Sequence, residues 1–260
     1  MLAVMKCPEL TNSGKLSLLL AKASYHARSL KRDTVVDCGV ARIRFGRESF
    51  PFDWYVFEEI FIRRIYERLH FEGAFVLDLG AHKGYFAVFA LRHGAKKVVS
   101  FEPEAANFRR LAAAAEEVSG WTARQEAIAG ESGMRSLKVN EAWSHTLIMD
   151  GAADDAVSVP VVALAGVLGI HGAERQIVKM DIEGAECDAL ATTPRDLLAR
   201  IDELVVEAHA DAPCSPAGIV AMAEAAGLTA VDPNLSHPAP MLHFEAVGPA
   251  RQRSASRGVT

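Results

Sequence analysis

The chain has 260 residues, 50% hydrophobic and 23% charged, enough to bury a sizeable core. Its net charge of −5, from 28 basic and 33 acidic residues, argues against a dedicated nucleic-acid binder. No run of about 20 apolar residues occurs, so no membrane span is expected.

Residues 1–30 read as helical. Lys22 interrupts the apolar stretch Leu16 to Ala23, and no cleavage site frames it, so a signal peptide is not expected. The one basic region, Lys6 to Arg47, reads as a solvated face. Cys7, Cys38, Cys187 and Cys214 are scattered, with no C-x-x-C pair, which indicates neither a zinc site nor a disulfide framework. Reduced thiols in a cytoplasmic protein are the expectation.

Thr34 to Phe45 alternates weakly around Gly39 and predicts a hairpin. Asp53 to Leu69 spaces Trp54, Phe57, Ile60, Phe61, Ile65 and Leu69 as an amphipathic helix would. Strands are then predicted at 75–79, 97–102, 122–128, 176–181 and 201–207. Helices are predicted at 85–93, 104–118, 184–191 and 216–226. This alternation implies a parallel sheet covered on both faces. Gly133 to Asn140 reads as an extra strand. Leu228 to Val231 and Met241 to Val247 flank the Pro-rich loop Pro233 to Pro240, a closing hairpin that would put an antiparallel strand at the sheet edge. The tail from Pro249 is polar and expected to be disordered. The expected division is a helix-and-hairpin extension over 1–50, one domain over 51–248 and a tail over 249–260.

The chemistry concentrates at strand ends. Phe75 to Gly84 is an apolar run that reaches Asp78, then Gly80 and Gly84, with a helix starting at Tyr85. Glycines let the backbone approach a ligand, and the helix start offers free N–H groups. The next strand ends in Glu102, 24 residues after Asp78, about where a nucleotide-binding α/β unit places its ribose carboxylate. A dinucleotide site needs G-x-G-x-x-G, whereas this turn is D-x-G-x-x-x-G, which disfavours an NAD-dependent oxidoreductase. An acid there would repel a pyrophosphate and suit the ammonium or sulfonium end of S-adenosylmethionine. Val178 to Glu186 is a strand ending at Asp181 followed by a turn carrying Glu183, Gly184 and Glu186. Leu204 to His209 repeats the pattern with Glu207 and His209.

The first turn resembles motif I of the class I S-adenosylmethionine-dependent methyltransferases. K-x-D-x-E-G-A-E followed by V-V-E-x-H, downstream of D-x-G-A-x-x-G and F-E-P, resembles the FkbM-type family over about residues 55–247. The resemblance implies an α/β, Rossmann-like fold. Its sheet would have seven mostly parallel strands, an antiparallel C-terminal hairpin strand, and helices on both faces. It also implies O-methylation, usually of a sugar or natural-product hydroxyl. His82 departs from the family, which generally has Asn there, and only its backbone is expected to matter.

By the same resemblance Asp78 and Gly80 would face the amino-acid half of the cofactor, and Ala81, His82 and Gly84 would also bind it. Glu102 would hold the ribose, Pro103 would border the cofactor beside it, and Glu126 and Ala127 would meet the adenine. Asp181 would hold the acceptor, touch the methionine amine, or bind a metal with Glu183 and Glu207; no metal is expected. Glu183 and Glu186 have the alternative of capping a helix. His209 is the candidate base. Glu207 points the same way in extended backbone and would orient it. His145 and Asp181 are rivals, and residues 1–50 with the segment Trp143 to Thr146 would shape the acceptor pocket.

The reading is a cytoplasmic S-adenosylmethionine-dependent O-methyltransferase acting on a small-molecule hydroxyl, binding neither nucleic acid nor membrane. Its rivals are an RNA or protein methyltransferase on the same fold and a non-catalytic cofactor-binding protein. Acceptor and oligomeric state stay open, a homo-oligomer included.

Overall fold

Residues 2–62 form a layer whose aromatic side chains join the core shared with the helix Tyr85–Arg92 and the main sheet. It comprises helices α1 (Leu2–Lys6) and α2 (Asn12–His26), the antiparallel hairpin β1 (Thr34–Asp37) with β2 (Arg42–Phe45), and helix α3 (Phe50–Phe57). The computed structural model describes residues 2–139, 145–148, 156–168, 175–209, 215–231, 235 and 240–247. Phe45, Phe50, Phe57 and Phe61 are at most 2% exposed, and each contributes roughly 1.5–3 kcal/mol by leaving water. α3 runs into a π-helical turn, Glu58–Ile62, closed by the Arg63 N–H donating to the Glu58 carbonyl at 2.8 Å. The helix expected to reach Leu69 therefore stops early. Arg64 takes a left-handed φ of 56°, which helical propagation does not allow.

Next come β3 (Phe75–Leu79), α4 (Tyr85–Arg92), β4 (Lys97–Phe101), α5 (Ala105–Ala115) and β5 (Trp121–Arg124). Strands β6 (Ala127–Ala129), β7 (Gly133–Val139), β8 (His145–Ile148) and β9 (Ala156–Ala163) follow, then α6 (Leu164–Leu168) and β10 (Gln176–Met180). The chain closes with α7 (Glu186–Thr192), α8 (Arg195–Leu198), β11 (Glu203–Glu207), α9 (Pro216–Ala225), β12 (Leu228–Val231) and β13 (Met241–Ala246).

Seven strands form the main sheet, in the order β12-β13-β11-β10-β3-β4-β5. Strands β11, β10, β3, β4 and β5 pair in parallel, and β13 runs antiparallel to both its neighbours. The antiparallel strand is thus one in from the edge, and β12 takes the edge itself. Chain order reverses between β3 and β10, and such a switch point opens a crevice at the carboxyl ends of the strands.

The sequence expectation of one strand over 122–128 is corrected: the run breaks at Gln125 and Glu126. β5 stays in the main sheet, while β6 joins a second sheet of order β6-β9-β7-β8. The strand expected at Gly133 to Asn140 belongs to that second sheet, and β9 had no counterpart in the sequence reading. Pro160, opposite Met134 in the β7–β9 ladder, has no N–H to give and disguises β9 as a broken run.

Side chains alternate across the main sheet. Phe75, Leu77 and Leu79 point into a core shared with α6, α7, α8 and α9. Val76, Val98, Ile177 and Val205 point into the core shared with the N-terminal layer and α4. Asp78, Lys179 and Glu207 fall on this second face by the same alternation. Cys187 is disulfide-bonded, against the expectation of reduced thiols, whereas Cys7 and Cys38 are free and buried. Among the described residues no helix is long and apolar enough to cross a membrane. The tail 249–260, most of the loop 233–240, and Trp143 and Ser144 lie outside the described residues, and the chain at 145–148 is described by its backbone.

Candidate active site

The turn after β3 is forced by close packing. Gly80 has φ 76°, and a Cβ built on it would lie 1.7 Å from the backbone carbonyl oxygen of Asp181. The ends of β3 and β10 therefore meet at a point with no room for a side chain. His82 takes φ 51°, a left-handed value that Asn and His tolerate better than most residues. Its backbone N–H donates to Glu102 Oε2 at 2.8 Å, and the Glu104 N–H donates to Glu102 Oε1 at 2.9 Å. Each carboxylate oxygen keeps a lone pair free. Burial pushes the Glu102 carboxyl up to about 8, against the pull of these two N–H donors.

Two clefts flank the turn and share Gly80, His82, Asp181 and Glu183, which makes them two ends of one crevice. The first adds Phe101, Glu102, Pro103 and Asn107 from the β4–α5 side. Glu126, Ala127, Ile128 and Leu137 come from the second sheet and the break before it. Glu126 pairs with Arg124, Nε to Oε2 at 2.7 Å. An acid beside flat apolar walls suits a nucleoside: a diol for Glu102, a ring between Phe101, Ile128 and Leu137.

The second cleft holds about 340 Å³, within the roughly 300–1,000 Å³ of small-molecule sites. One wall is Tyr55, Val56, Glu59 and Ile60 from α3 and its π-turn; the other includes Tyr66, Tyr85, Lys179, Glu207 and His209. Single π-turns within helices gather at functional sites. His82 and Glu183, two of the four non-glycine residues with positive φ among the described residues, border both clefts.

Two residues assigned to the cofactor by sequence lie elsewhere. Asp78 is wholly buried beneath the turn and lines neither cleft. Its Oδ2 accepts from Ser100 Oγ at 3.1 Å, and Lys179 Nζ stands 3.7 Å from Oδ1. Lys179 in turn donates to the Gly80 carbonyl at 2.7 Å and lies 3.3 Å from Asp181 Oδ2. Asp78 thus acts through Lys179 on the turn. Burial raises the Asp78 carboxyl; it opposes the charge on Lys179, but Asp181 and Asp78 outweigh it and raise the ammonium. Gly84, at φ 90°, also lines neither cleft, and its open face is filled by Trp121 and Leu111. A strand-end acid and a glycine look alike in sequence whether they face a ligand or brace the strand beneath it.

At the far end of the crevice stands His209. Its expected partner was Glu207; the structure puts Glu186 in that place. Glu186 Oε1 lies 3.1 Å from His209 Nδ1, and the carboxylate, fully buried, also accepts from the N–H groups of Ile182 and Gly184. Glu186 therefore holds the turn and the ring together, beyond the helix-capping alternative. His209 Nε2 points to Glu183 Oε2 at 3.3 Å and Asp181 Oδ1 at 3.8 Å. Burial opposes a charge on His209, but the Glu186 contact, then Asp181 and Glu183, raise it to about 9. Burial, then Asp181, pushes both Glu183 and Glu207 up to about 7. Asp181, Glu183 and His209 present three atoms within 4.8 Å of one another, a spacing a metal would accept. Lys179 already supplies a fixed positive charge at Asp181.

Sequence reading missed Tyr55, Glu59, Ile60, Tyr66, Asn107, Leu137 and Lys179. Lys179 had a signal, as the first residue of K-x-D-x-E-G-A-E. The N-terminal wall lies at 55–60, beyond the expected 1–50, and only packing brings it to the strand ends.

A profile of the methyltransferase FkbM domain matches residues 78–221, more than half of the chain. No curated protein matches the sequence. Among solved structures, the methyltransferase FkbM from Methylobacillus flagellatus KT is similar at 14% identity with a TM-score of 0.51. The match covers 94% of this chain and 58% of that one, so this chain spans little more than half the length of that relative. A weaker likeness is to the magnesium protoporphyrin IX methyltransferase of Synechocystis PCC 6803, solved with bound S-adenosylmethionine. There identity is 12%, coverage 76% of this chain and 79% of that one, and the TM-score 0.44. With the motifs at the strand ends inside the matched segment, the chain belongs to the FkbM family of S-adenosylmethionine-dependent methyltransferases.

Proposed function

We propose that the protein transfers the methyl group of S-adenosylmethionine to a hydroxyl of a small molecule. The observation that carries this reading is the continuity of the two clefts: a nucleoside-shaped end with Glu102 and an acceptor-sized end with His209 meet at Gly80 and Asp181. When bound, the cofactor supplies a methyl group on a sulfonium, an electrophile for an acceptor oxygen. Glu102 holds the ribose diol, Phe101, Ile128 and Leu137 the base, with Glu126 and Ala127 at its edge. Asp181 and Glu183 face the amino-acid end. Glu186 fixes the His209 tautomer with the proton on Nδ1, leaving Nε2 to take the acceptor proton. Glu207 lines the acceptor end and strengthens its negative field. Four acids, Glu59, Asp181, Glu183 and Glu207, outnumber the basic groups Lys179, His82 and His209 on this lining, a balance that favours a small molecule over a phosphate backbone. Residues 51–248 would be its catalytic domain. Incubation with methyl-labelled cofactor and a metabolite extract should add label to a small hydroxylated compound. Label appearing only on RNA or protein would overturn the acceptor class.

Glu102→Ala tests the cofactor end alone. Two hydroxyls donating to this carboxylate make charge-assisted bonds of about 1.5–3 kcal/mol each. They also draw the raised carboxyl back toward its charged form. Calorimetry should show at least about tenfold weaker binding of S-adenosylhomocysteine with the fold intact. Unchanged affinity would put Glu102 outside the ribose site.

A further inference from the structure

Lys83 is the second residue of the glycine turn that the two clefts do not use, and its side chain runs away from both. It is 6% exposed and reaches across to Asp53 on α3, which is fully buried. Lys83 Nζ donates to Asp53 Oδ1 at 2.6 Å and to Ser49 Oγ at 2.9 Å. Asp53 Oδ2 accepts from the Gly46 N–H at 2.6 Å and from Ser49 Oγ at 2.8 Å. Lys83 Nζ is the cation in direct contact with Asp53, while the Arg110 guanidinium packs against Gly46 and pairs with Asp33.

A buried ion pair is a poor source of net stability, since both ions give up water. Its effect is on arrangement: a lone buried charge is costly, so the two elements hold one position relative to each other. The two ends of this pair matter in different places. Lys83 directly follows His82, whose N–H is held by Glu102 in the first cleft. Asp53 lies two residues before Tyr55 and six before Glu59, both on the wall of the second cleft. Asp53 also lies outside the matched family segment, which begins at residue 78. No residue of 46–62 lines the first cleft.

We propose that Lys83 and Asp53 are a positioning pair that couples the cofactor turn to the acceptor wall, so that seating the cofactor also seats α3 and its π-turn. This rests on the cofactor reading above. The pair touches neither ligand. It transmits the geometry of the turn to Tyr55, Glu59 and Ile60.

The test is hydrogen–deuterium exchange with S-adenosylhomocysteine as probe, read on peptides covering 50–62 and 78–92. In the wild type, the probe should slow exchange about tenfold in both segments, although it contacts only the second. The double variant Asp53→Asn with Lys83→Met removes both charges and leaves no buried ion alone. It should bind the probe within about threefold of wild type and keep the protection of 78–92. It should lose the protection of 50–62. Ser49→Ala, which removes the hydroxyl bridging the two charges but neither charge, should lose part of it. Protection of 50–62 surviving in the double variant would overturn the coupling. So would a large loss of probe affinity, which would make the pair part of cofactor binding. A wild type that binds the probe without protecting 50–62 would overturn it while sparing the cofactor reading. A wild type that does not bind the probe would defeat that reading and the coupling with it.

Discussion

Gly80→Ala should cost both stability and activity, although it adds one methyl group. The new Cβ would sit 1.7 Å from the Asp181 carbonyl oxygen, a backbone atom on the central strand pair that cannot swing aside. The φ of 76° adds its own penalty for any residue with a side chain. Overpacking costs about 1–3 kcal/mol and the left-handed backbone about 1–2 more. A total near 3 kcal/mol lowers the melting temperature of a domain this size by about 6–12 °C. The strand ends must part to admit the methyl group, and a displacement near 1 Å at a reacting site costs about 10²-fold in rate. Scanning calorimetry checks the first effect and labelled methyl transfer the second. A melting temperature within about 2 °C of wild type would show that the two strand ends separate freely.

His209→Ala should lower kcat by about 10²–10⁴ while leaving affinity for S-adenosylhomocysteine within about threefold. The pH dependence separates a base from a packing residue. His209 is raised to about 9, so the ring carries its proton below that pH and accepts one only as the proton leaves. Wild-type kcat should therefore rise as pH climbs from 6 toward 9. A sulfonium nearby opposes the charge on the ring and moves the rise to lower pH. His209→Ala should flatten this limb. Glu186→Gln should keep the ring in place but remove the charge that favours its proton, shifting the limb to lower pH. A His209→Ala enzyme with near-wild-type kcat across pH 6–9 would pass the role to Asp181 or His145, or leave catalysis to alignment alone.

The legible and illegible parts of the sequence divide along physical lines. The apolar runs at 75–79, 97–102 and 176–181 leave little choice of partner, because a strand buried on both faces fits only the middle of a parallel sheet. The glycine turn was legible because a left-handed φ and a close backbone approach both demand glycine, a residue the sequence shows directly. The second sheet was not. β6 follows β5 after only two residues, Gln125 and Glu126, too short a break for the sequence to show that it leaves for another sheet. Glu186 was readable as an acid in a first turn but not as the partner of a residue 23 positions later. The wall made by Tyr55 and Glu59 depends on how one layer docks on another, and no periodicity within a layer encodes that.

The π-turn at 58–62 also bears on how such an enzyme changes its diet. Its closing bond spans five residues, one more than an α-helix uses. Losing a single residue there would restore ordinary helix and rotate the adjoining residues by about 100°, turning Ile60 and its neighbours to a new side. Gaining one would turn them the other way. The strand ends that carry Glu102, Asp181 and His209 would not move. Length, altered one codon at a time in a segment that precedes the family domain, would be enough to redraw the acceptor wall while the methyl-donating half stays as it is.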